Sequence, residues 1–503
     1  MIGLFIIAIF PFLLSVYLKA KSNEKYALWL LALGAFILRL YVAHLDPFLN
    51  DWDERYHALV ARNLMDNPLK PYLKQPLLPH DYTDWGGNYI WVHKQPLFMW
   101  QMALSMKLFG VSEFAIRYPD VLMGTIMVFV IYQITVLLTE NKNTAYAAAL
   151  FMALSNYQLD LISGHKGMDH DDVAFGFYVL LSFWAYARYI QKPSIGFAAL
   201  IGIFAGCAIL NKWLTGLLVF GSWGVNILIH IHKKETRTEL GHLLLALICC
   251  TIIFLPWQLY ILHTYPVEAR YEYAYNERHI SEALEGHHGN ASYYLRNFDL
   301  YFGFGFPLVF LGLIAIFLNK SYNRKLTTAI TIAFIAVFIF FTFIVHTKVD
   351  SYFFVVVPLG FILMAVSISW LSSKTKKEYI IQFILTSITA FFVLNCFQIF
   401  EAHSRADEGS EAHAFNTYIY KGLKKVIPAG TTVVINVKGG EDLACDFYNK
   451  GITSYGWCIS ESQLDTLLKR NQKIAYFQER YGYGVPDYIK NNPVLYQIKI
   501  PLK

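Results

Sequence analysis

Acidic residues are concentrated just after the second apolar run of the chain, at residues 50–57. Asp51, Asp53 and Glu54 stand within four positions of one another there. A carboxylate at a membrane exit can act as a general base on an acceptor hydroxyl, and two adjacent acids commonly have pKa values that are pushed apart. The alternative is structural, because carboxylates also stabilise the N-terminal end of a helix, which here would run to about Met65.

A lysine is the second chemical feature of the same region. Lys94, preceded by His93, begins an amphipathic stretch that ends at Gly110 and includes Lys107. The stretch is too short and too polar to cross a bilayer, so we expect it to lie in the membrane interface. A lysine at headgroup level can bind a lipid phosphate. The acid and the lysine together suit a lipid-phosphate-linked substrate.

A second acidic group precedes the fifth predicted span and contains Asp169, Asp171 and Asp172. A carboxylate there could orient an acceptor or bind a cation through oxygen ligands, and the histidines beside it would also suit a transition metal. A solvated helix N-terminus is the alternative. Lys212 and Lys348 fall where apolar runs meet the outer face. Either they neutralise a departing phosphate, or they snorkel to the headgroups.

Membrane-spanning helices are the elements that must position these residues. Of the 503 residues, 56% are hydrophobic and only 16% are charged, which excludes an ordinary soluble enzyme and a disordered chain. The net charge of +6 has no run dense enough to bind nucleic acid. Twelve apolar runs are candidate spans of about 20 residues: roughly 2–19, 25–44, 117–138, 144–161, 173–191, 195–212, 213–231, 241–262, 299–318, 326–346, 352–371 and 379–400.

The orientation follows from basic residues in the short linkers between alternate spans, such as Lys19, Lys192 and Lys320. The positive-inside rule makes these linkers cytoplasmic. Both termini and the long loops 45–116, 263–298 and 401–503 then face the periplasm. Because the loops rather than the spans carry the charges, the pattern favours chemistry at the outer face over a pump or carrier.

The composition becomes that of a soluble domain towards the C-terminus, so we divide the chain into residues 1–405, a transmembrane domain, and 406–503. The pattern of the second part predicts a small α/β domain, with helices at 413–426 and 460–470 and strands at 431–437, 473–477 and 494–500. Ser460 or Ser462 is the predicted N-cap of the second helix. It contains no nucleophile–base pair and no phosphate loop, so we expect a lid or an acceptor-contact domain. A disulfide between Cys445 and Cys458 is left open.

Several short motifs resemble those of a known family. The sequence DERYHALVAR at 53–62 resembles the D-E-x-Y-x-A-L-x-A-R stretch of bacterial polyprenyl-phosphate-sugar-dependent glycosyltransferases. These membrane proteins have the C-type glycosyltransferase fold and include lipid A aminoarabinose transferases and relatives of protein O-mannosyltransferases. KQPL at 94–97 with Trp100 and KLFG at 107–110, LNKW at 210–213 and KVDSY at 348–352 are similar to the family's K-P-P-L…W…K-L-F-G, L-T-K-G and K-L-P-x-Y.

The chain also departs from the family at two positions. The family often has Glu before the lysine, which aminoarabinose transferases use in a metal site, whereas this chain has His93. Those enzymes also have Arg where this chain has Tyr56. The resemblance therefore implies neither a bound metal nor that particular substrate; a divalent metal is left open, and no cofactor is expected to be required.

The resemblance implies a polytopic α-helical membrane protein of about 12 spans, with interfacial helices in the first outer loop. It implies inverting transfer of one sugar from a polyprenyl-phosphate donor, with Asp53 as general base and Glu54 orienting it. The remaining expected roles are donor-phosphate binding by Lys94, Lys212 and Lys348, acceptor orientation by Asp169, Asp171 or Asp172, and donor or acceptor contacts by Tyr56, His93 and Tyr352.

The partners implied are the lipid-linked donor, membrane lipid and an acceptor that could be lipid A, a polysaccharide or a protein. A monomer in the cell inner membrane is expected, and the sugar is left open. Two alternatives stand beside this interpretation. One is a transporter or flippase of lipid-linked sugars, which would need paired charges within its spans. The other is an oligosaccharide ligase or polymerase that uses a pyrophosphate-linked donor.

Overall fold

The computed structural model describes residues 2–80, 85–165, 171–232, 235–375, 378–404, 408–478 and 484–503. These residues are mostly helical. The helices of the first part of the chain are α1 (Ile2–Ala20), α2 (Glu24–Val42), α3 (Asp53–Leu64), α4 (Leu97–Phe109), α5 (Glu113–Thr139), α6 (Lys142–Ala153), α7 (Asn156–Ser163), α8 (Asp171–Gln191), α9 (Ile195–Lys212), α10 (Leu218–Ile229), α11 (Thr236–Thr264) and α12 (Pro266–Ser281).

The second part of the chain adds further helices and a small sheet. The elements in order are α13 (Tyr293–Arg296), α14 (Phe298–Phe302), α15 (Phe306–Leu318), α16 (Arg324–Ile339), α17 (Asp350–Phe354), α18 (Val357–Lys374), α19 (Glu378–Ser404), α20 (Glu408–Gly422), β1 (Val433–Ile435), α21 (Asp442–Tyr448), β2 (Thr453–Tyr455), α22 (Glu461–Lys469), β3 (Ile474–Phe477), α23 (Asp487–Lys490) and β4 (Tyr496–Ile498).

The chain forms two compact units. The first comprises residues 1–42, 120–162 and 170–400, and the second comprises residues 43–119, 163–169 and 401–503. Residues 45–116, which are predicted to form the first outer loop, and the C-terminal segment thus belong to the same unit. The predicted domain boundary at residue 405 stays a prediction.

The first unit consists of apolar helices. Eight helices of the described residues are long and apolar enough to cross a membrane, and three shorter apolar helices lie at 7–20, 215–229 and 385–399. Helices occupy all twelve predicted runs, which confirms a multi-pass helical protein, while the number of crossings stays a prediction. The run 144–161 is divided between α6 and α7. The buried Arg39 donates to the carbonyl oxygens of Met152 and Ala153 and so satisfies the end of α6.

Small residues allow the helices of the first unit to approach closely. α9 packs against both α8 and α11. A Cβ atom on Gly202 would lie 2.1 Å from the carbonyl oxygen of Ala246, and one on Gly206 would lie 2.8 Å from that of Cys250. This spacing of small residues is typical of close helix contacts in membranes, where van der Waals packing replaces the hydrophobic effect.

The second unit contains α3 and α4, which pack together, and a four-stranded parallel sheet in the order β2-β1-β3-β4. The small C-terminal α/β domain is therefore confirmed. Ser460 is the N-cap of α22 and forms a capping box with Gln463, as predicted. The strand β2 and the helix α21 were not predicted, because they are short and lack an apolar run.

The two cysteines of the C-terminal domain lie on different faces of this sheet. Cys445 belongs to the core cluster formed with Val434 and Phe477, whereas Cys458 packs against the cluster that contains Val433. No disulfide joins them. The stability of this domain therefore rests on its two apolar clusters, one on each face of the sheet.

Candidate functional site

The first candidate group stands where α3 begins. Trp52, immediately before the helix, has a φ of +61°, a left-handed conformation that is costly for a bulky residue. The helix follows with Asp53 and Glu54 in its first turn, where carboxylates interact favourably with the helix dipole. The Asp53 side chain is 14% exposed, and its Oδ2 lies 3.5 Å from the Nζ of Lys94. A carboxylate and an ammonium are thus adjacent and partly accessible.

Glu54 has very different surroundings from Asp53. Its side chain is 1% exposed and receives a bidentate pair from Arg117, with Nε to Oε1 at 2.7 Å and Nη2 to Oε2 at 3.0 Å. The backbone N–H of Asn50 donates to Oε2 at 2.6 Å. A bidentate, charge-assisted pair of this kind is strong and geometrically specific. Glu54 is therefore held in one position.

Arg117 joins this carboxylate to the preceding loop. Its other N–H groups donate to the carbonyl oxygens of Ala43, Asp46 and Phe48 at 3.3, 3.0 and 2.9 Å. All five guanidinium donors are thus used, and loop 43–48 is fixed relative to the start of α3. No role was predicted for Arg117, whose one signal in the sequence is its place as a lone arginine at the first residue of a predicted span.

A glycine encloses Glu54 from a further side. Gly164 has a φ of +78°, and a Cβ atom there would lie 2.7 Å from Oε1 of Glu54. Only glycine combines this backbone conformation with so close an approach. The segment after α7 therefore helps to bury the Glu54–Arg117 pair.

A second ionic network connects α3 with α20. Arg55 pairs with Asp51 at 2.6 Å and donates to the carbonyl oxygen of Gly440 at 2.8 Å. His413 contacts Asp51 at 3.5 Å through Nε2 and Glu441 at 2.6 Å through Nδ1. Hydrogen bonds to Asp51 and Glu441 raise the pKa of His413 to about 8, although burial opposes this. The hydrogen bond from His413 in turn lowers the pKa of Asp51.

The predicted contact residues Tyr56 and His93 belong to one aromatic cluster. His93 stacks on Trp85 with ring centroids 4.4 Å apart and an interplanar angle of 11°. Tyr56 lies 4.9 Å from Trp85 and 5.9 Å from Trp91. Trp85 thus contacts both His93 and Tyr56, which lies one turn after Asp53 in α3.

The first compact unit contains five further predicted site residues: Asp171, Asp172, Lys212, Lys348 and Tyr352. Lys212, the last residue of α9, pairs with Asp172 in the first turn of α8, with 2.6 Å between Nζ and Oδ1. Its ammonium also lies 5.0 Å from the centre of the Tyr352 ring, within the range of a cation–π contact. Asp171 is fully buried at the same helix end. The structure thus brings together three residues that were predicted separately.

Lys348 is enclosed by backbone. Its ammonium donates to the carbonyl oxygens of Phe341, Thr342 and Val345, with 2.9 Å to Thr342. These carbonyls belong to the π-helical turn that follows α16 and to the residue that caps it, and they accept all three protons of the lysine. Burial lowers the pKa of Lys348. Binding of a phosphate would require this ammonium to leave its carbonyl partners.

Metal ligation was left open by the sequence. Within the part of the chain that the structure describes, no group of three or more His, Cys, Asp or Glu side chains is arranged to hold a metal ion. Asp169, one of the three alternatives for the second acidic site, lies outside the described residues. Metal dependence therefore stays an open prediction.

Comparison with known proteins gives partial sequence matches. Residues 93–260 match the family model described as dolichyl-phosphate-mannose-protein mannosyltransferase. An undecaprenyl phosphate-alpha-4-amino-4-deoxy-L-arabinose arabinosyl transferase of Pseudomonas aeruginosa (strain LESB58) is 28% identical over 169 residues, which are 32% of this chain and 29% of that protein. A related transferase of Pseudomonas fluorescens (strain Pf0-1) is 26% identical over 33% of this chain and 29% of its own length. The matches span less than a third of these relatives.

The similarity in fold to solved structures covers most of the chain. The crystal structure of ArnT from Cupriavidus metallidurans bound to undecaprenyl phosphate has a TM-score of 0.62 at 15% identity and covers 88% of this chain and 87% of that one. The apo structure gives a TM-score of 0.63 and covers 94% and 90%. Residues 93–260 are thus similar in sequence to polyprenyl-phosphate-sugar-dependent membrane glycosyltransferases, and the chain shares the C-type fold of the ArnT structures.

Proposed function

We propose that this protein transfers a single sugar from a polyprenyl-phosphate donor to an acceptor at the extracytoplasmic face of the cell inner membrane. The match to the mannosyltransferase family, the C-type fold and the undecaprenyl-phosphate donors named for the relatives support this donor class. The observation that carries the proposal is the pair formed by Asp53 and Lys94, a partly exposed carboxylate beside an ammonium.

In the proposed reaction, Asp53 accepts the proton of an acceptor hydroxyl as that oxygen attacks the anomeric carbon of the donor sugar. The bond between the anomeric carbon and the phosphate oxygen breaks, and its electron pair leaves with the polyprenyl phosphate. A single displacement of this kind inverts the anomeric centre. Glu54 is a positioning residue in this scheme, because its carboxylate is already committed to Arg117.

The leaving phosphate needs positive charge, which Lys94 and Lys212 are proposed to supply. Lys348 would contribute only after its ammonium had left the three carbonyl oxygens. Asp171 and Asp172, with Asp169 as the alternative, are proposed to orient the acceptor. Tyr56, His93 and Tyr352 are proposed donor or acceptor contacts. No metal or other cofactor takes part in the scheme.

The test is a mass-spectrometric profile of polyprenyl phosphates in membranes of cells that express the wild type or Asp53→Asn. We expect the variant to accumulate a polyprenyl-phosphate sugar, because the donor is made but not consumed. The mass of the accumulated species would then identify the sugar. Asp465→Asn, which removes an exposed carboxylate on α22, is the matched control and should give the wild-type profile.

Identical profiles for the wild type and Asp53→Asn, with both proteins folded and equally abundant, would contradict the proposal. Accumulation of a pyrophosphate-linked glycan instead of a monophosphate-linked sugar would support the ligase or polymerase alternative. Both outcomes are read from the same spectra.

A further inference from the structure

The second compact unit contains a cavity of about 570 Å³. Its wall is formed by the start of α3, by residues within 74–80 and 86–89, and by the C-terminal sheet domain. Ligand pockets for small molecules typically measure about 300–1,000 Å³, so this cavity has room for one or two sugar rings. Asp53 itself is not part of the wall, but its neighbours Trp52 and Tyr56 are.

The sheet places the cavity where parallel sheets usually bind ligands. Gly439 and Gly440 lie in the loop after β1, Tyr455 ends β2, and Trp457 stands two residues beyond it. All four residues line the cavity. They therefore stand at the carboxyl ends of two adjacent parallel strands. In open α/β sheets, the crevice outside these ends is the general ligand-binding position.

Five Trp and Tyr side chains form part of the cavity wall. Trp52 and Trp457 are 66% and 51% exposed, so neither belongs to an apolar core. Tyr455 lies 5.5 Å from Trp457 in an edge-to-face contact, and Tyr56 and Tyr89 complete the aromatic lining. Large aromatic faces that remain accessible can stack on the C–H faces of a sugar ring while their polar ends bind hydroxyls.

One of these aromatic residues has an unsatisfied polar group. Tyr455 is 4% exposed, and its buried hydroxyl has no hydrogen-bond partner among the described residues. A buried polar atom without a partner costs roughly 1–3 kcal/mol, and such atoms are rare in native proteins. A ligand hydroxyl in the cavity would provide the missing partner.

The charges of the wall argue for a neutral ligand. Arg55 pairs with Asp51 at 2.6 Å, and Lys74 pairs with Asp442, so each cation of these two pairs already has a carboxylate. A phosphate or carboxylate ligand would find no uncompensated positive charge in these pairs. An acyl chain would bury both ion pairs against hydrocarbon, which is unfavourable. Hydroxyl groups can hydrogen-bond to both members of each pair.

We propose that this cavity binds a neutral pyranose unit of the acceptor, so that the acceptor is a glycan rather than a protein hydroxyl or a phosphorylated headgroup. The inference rests on the proposed function, since it assigns the acceptor of that transfer. A sugar stacked on Trp52 and Tyr56 lies against the first turn of α3. The same turn of α3 carries the proposed base, Asp53.

The test measures binding rather than turnover. The full chain is purified in a detergent without a sugar headgroup, and methyl glucopyranoside, mannopyranoside and galactopyranoside are titrated as probes by saturation-transfer NMR. We expect at least one probe to bind. Trp457→Ala should weaken that binding about tenfold or more, as loss of an aromatic anchor does, and Tyr455→Phe should weaken it about fivefold, the equivalent of one hydrogen bond.

The matched control is Tyr418→Ala, because Tyr418 is 79% exposed on α20 in the same unit and does not line the cavity. We expect Tyr418→Ala to bind the pyranoside probe as tightly as the wild type does. Absence of binding by all three probes, or equal binding in Trp457→Ala, would overturn the proposal. Displacement of the probe by inorganic phosphate or by a Ser/Thr-rich peptide would also overturn it, in favour of a phosphorylated or protein acceptor.

Two further results separate this inference from the proposed function. Displacement of the probe by undecaprenyl-phosphate mannose would assign the cavity to the donor sugar and contradict an acceptor site. If no pyranoside binds while Asp53→Asn accumulates donor, the acceptor inference fails and the transferase proposal stands. If pyranosides bind while the donor profiles are identical, the reverse holds.

Discussion

The two acids at the start of α3 differ in how far the fold encloses them, and so do Lys212 and Lys348 in the first unit. Glu54 is buried against Arg117, whereas Asp53 is partly exposed beside Lys94. Lys348 is surrounded by carbonyl oxygens. Lys212 pairs with Asp172 and is 16% exposed. In each region, one charged group is thus buried and fully hydrogen-bonded, and the other is partly exposed.

The buried charges of Glu54 and Lys348 are neutralised by different kinds of partner. Glu54 has a full opposite charge in bidentate contact, which makes it a fixed structural element. Lys348 has backbone dipoles only, and burial lowers its pKa. An acid next to the proposed base is thus kept from proton transfer by its charged partner, whereas a lysine held by carbonyl oxygens has no opposite charge that it must leave.

Removal of Arg117 has the largest expected effect. Arg117→Met leaves Glu54 as an unpaired buried carboxylate, and breaking a buried pair in this way costs about 3–5 kcal/mol of the free energy of unfolding. The double variant Glu54→Leu, Arg117→Met should be more stable than Arg117→Met, because no charge remains buried. Thermal unfolding of the purified protein measures both. Equal stability of the wild type and Arg117→Met would show that the pair does not hold the loop.

Lys94 comes next and is compared with Lys107, an exposed lysine of the last turn of α4. Lys94→Ala should lower donor turnover about 100-fold, the usual loss when a transition-state charge stabiliser is removed. Lys107→Ala should keep wild-type turnover and serves as the control. Comparable turnover in the two variants would remove Lys94 from the phosphate site.

The two lysines of the first unit should respond differently to the same substitution. Lys212→Ala is expected to lower donor turnover about tenfold, which corresponds to about 1.4 kcal/mol. Lys348→Ala should instead lower the free energy of unfolding by about 1–3 kcal/mol, because three carbonyl groups lose their donor. Unchanged stability of Lys348→Ala together with a raised KM for the donor would assign Lys348 to phosphate binding after all.

The smallest effect concerns His413. Its pKa is raised to about 8 in the folded protein from about 6.5 in the unfolded chain. The stabilisation is therefore fully present below pH 6.5 and is lost as the pH rises through about 8. Because the site is partly solvated, we expect about 1 kcal/mol. Thermal unfolding between pH 6 and 9 should show this loss in the wild type but not in His413→Gln; the same dependence in both would contradict the assignment.

Patterns within short stretches of the sequence predict much of the fold. Apolar length located the helices of the first unit, and the Ser460 cap located α22. The acidic start of α3 and the K-Q-P-L motif before α4 also fall at the predicted positions. These features depend on residues close in sequence, so periodicity, capping and motif order can specify them.

Tertiary partners could not be predicted in the same way. Arg117 is separated from Glu54 by 63 positions, and nothing in either local sequence indicates that they meet. The enclosure of Lys348 depends on a π-helical turn that propensity does not specify. The cavity wall needs Trp52 and Trp457, which lie in different parts of the chain and are brought together only by folding. Residue type can suggest a role, but the use of each donor and acceptor depends on the fold.

We propose that Asp53 performs proton transfer while Glu54 holds the structure. These roles are tested by donor turnover and thermal unfolding of Asp53→Asn and Glu54→Gln, measured side by side on the purified protein. We expect Asp53→Asn to keep wild-type stability and to lose turnover by roughly 10²–10⁴-fold, and we expect Glu54→Gln to be strongly destabilised. Full turnover in Asp53→Asn, or wild-type stability with abolished turnover in Glu54→Gln, would contradict this proposal.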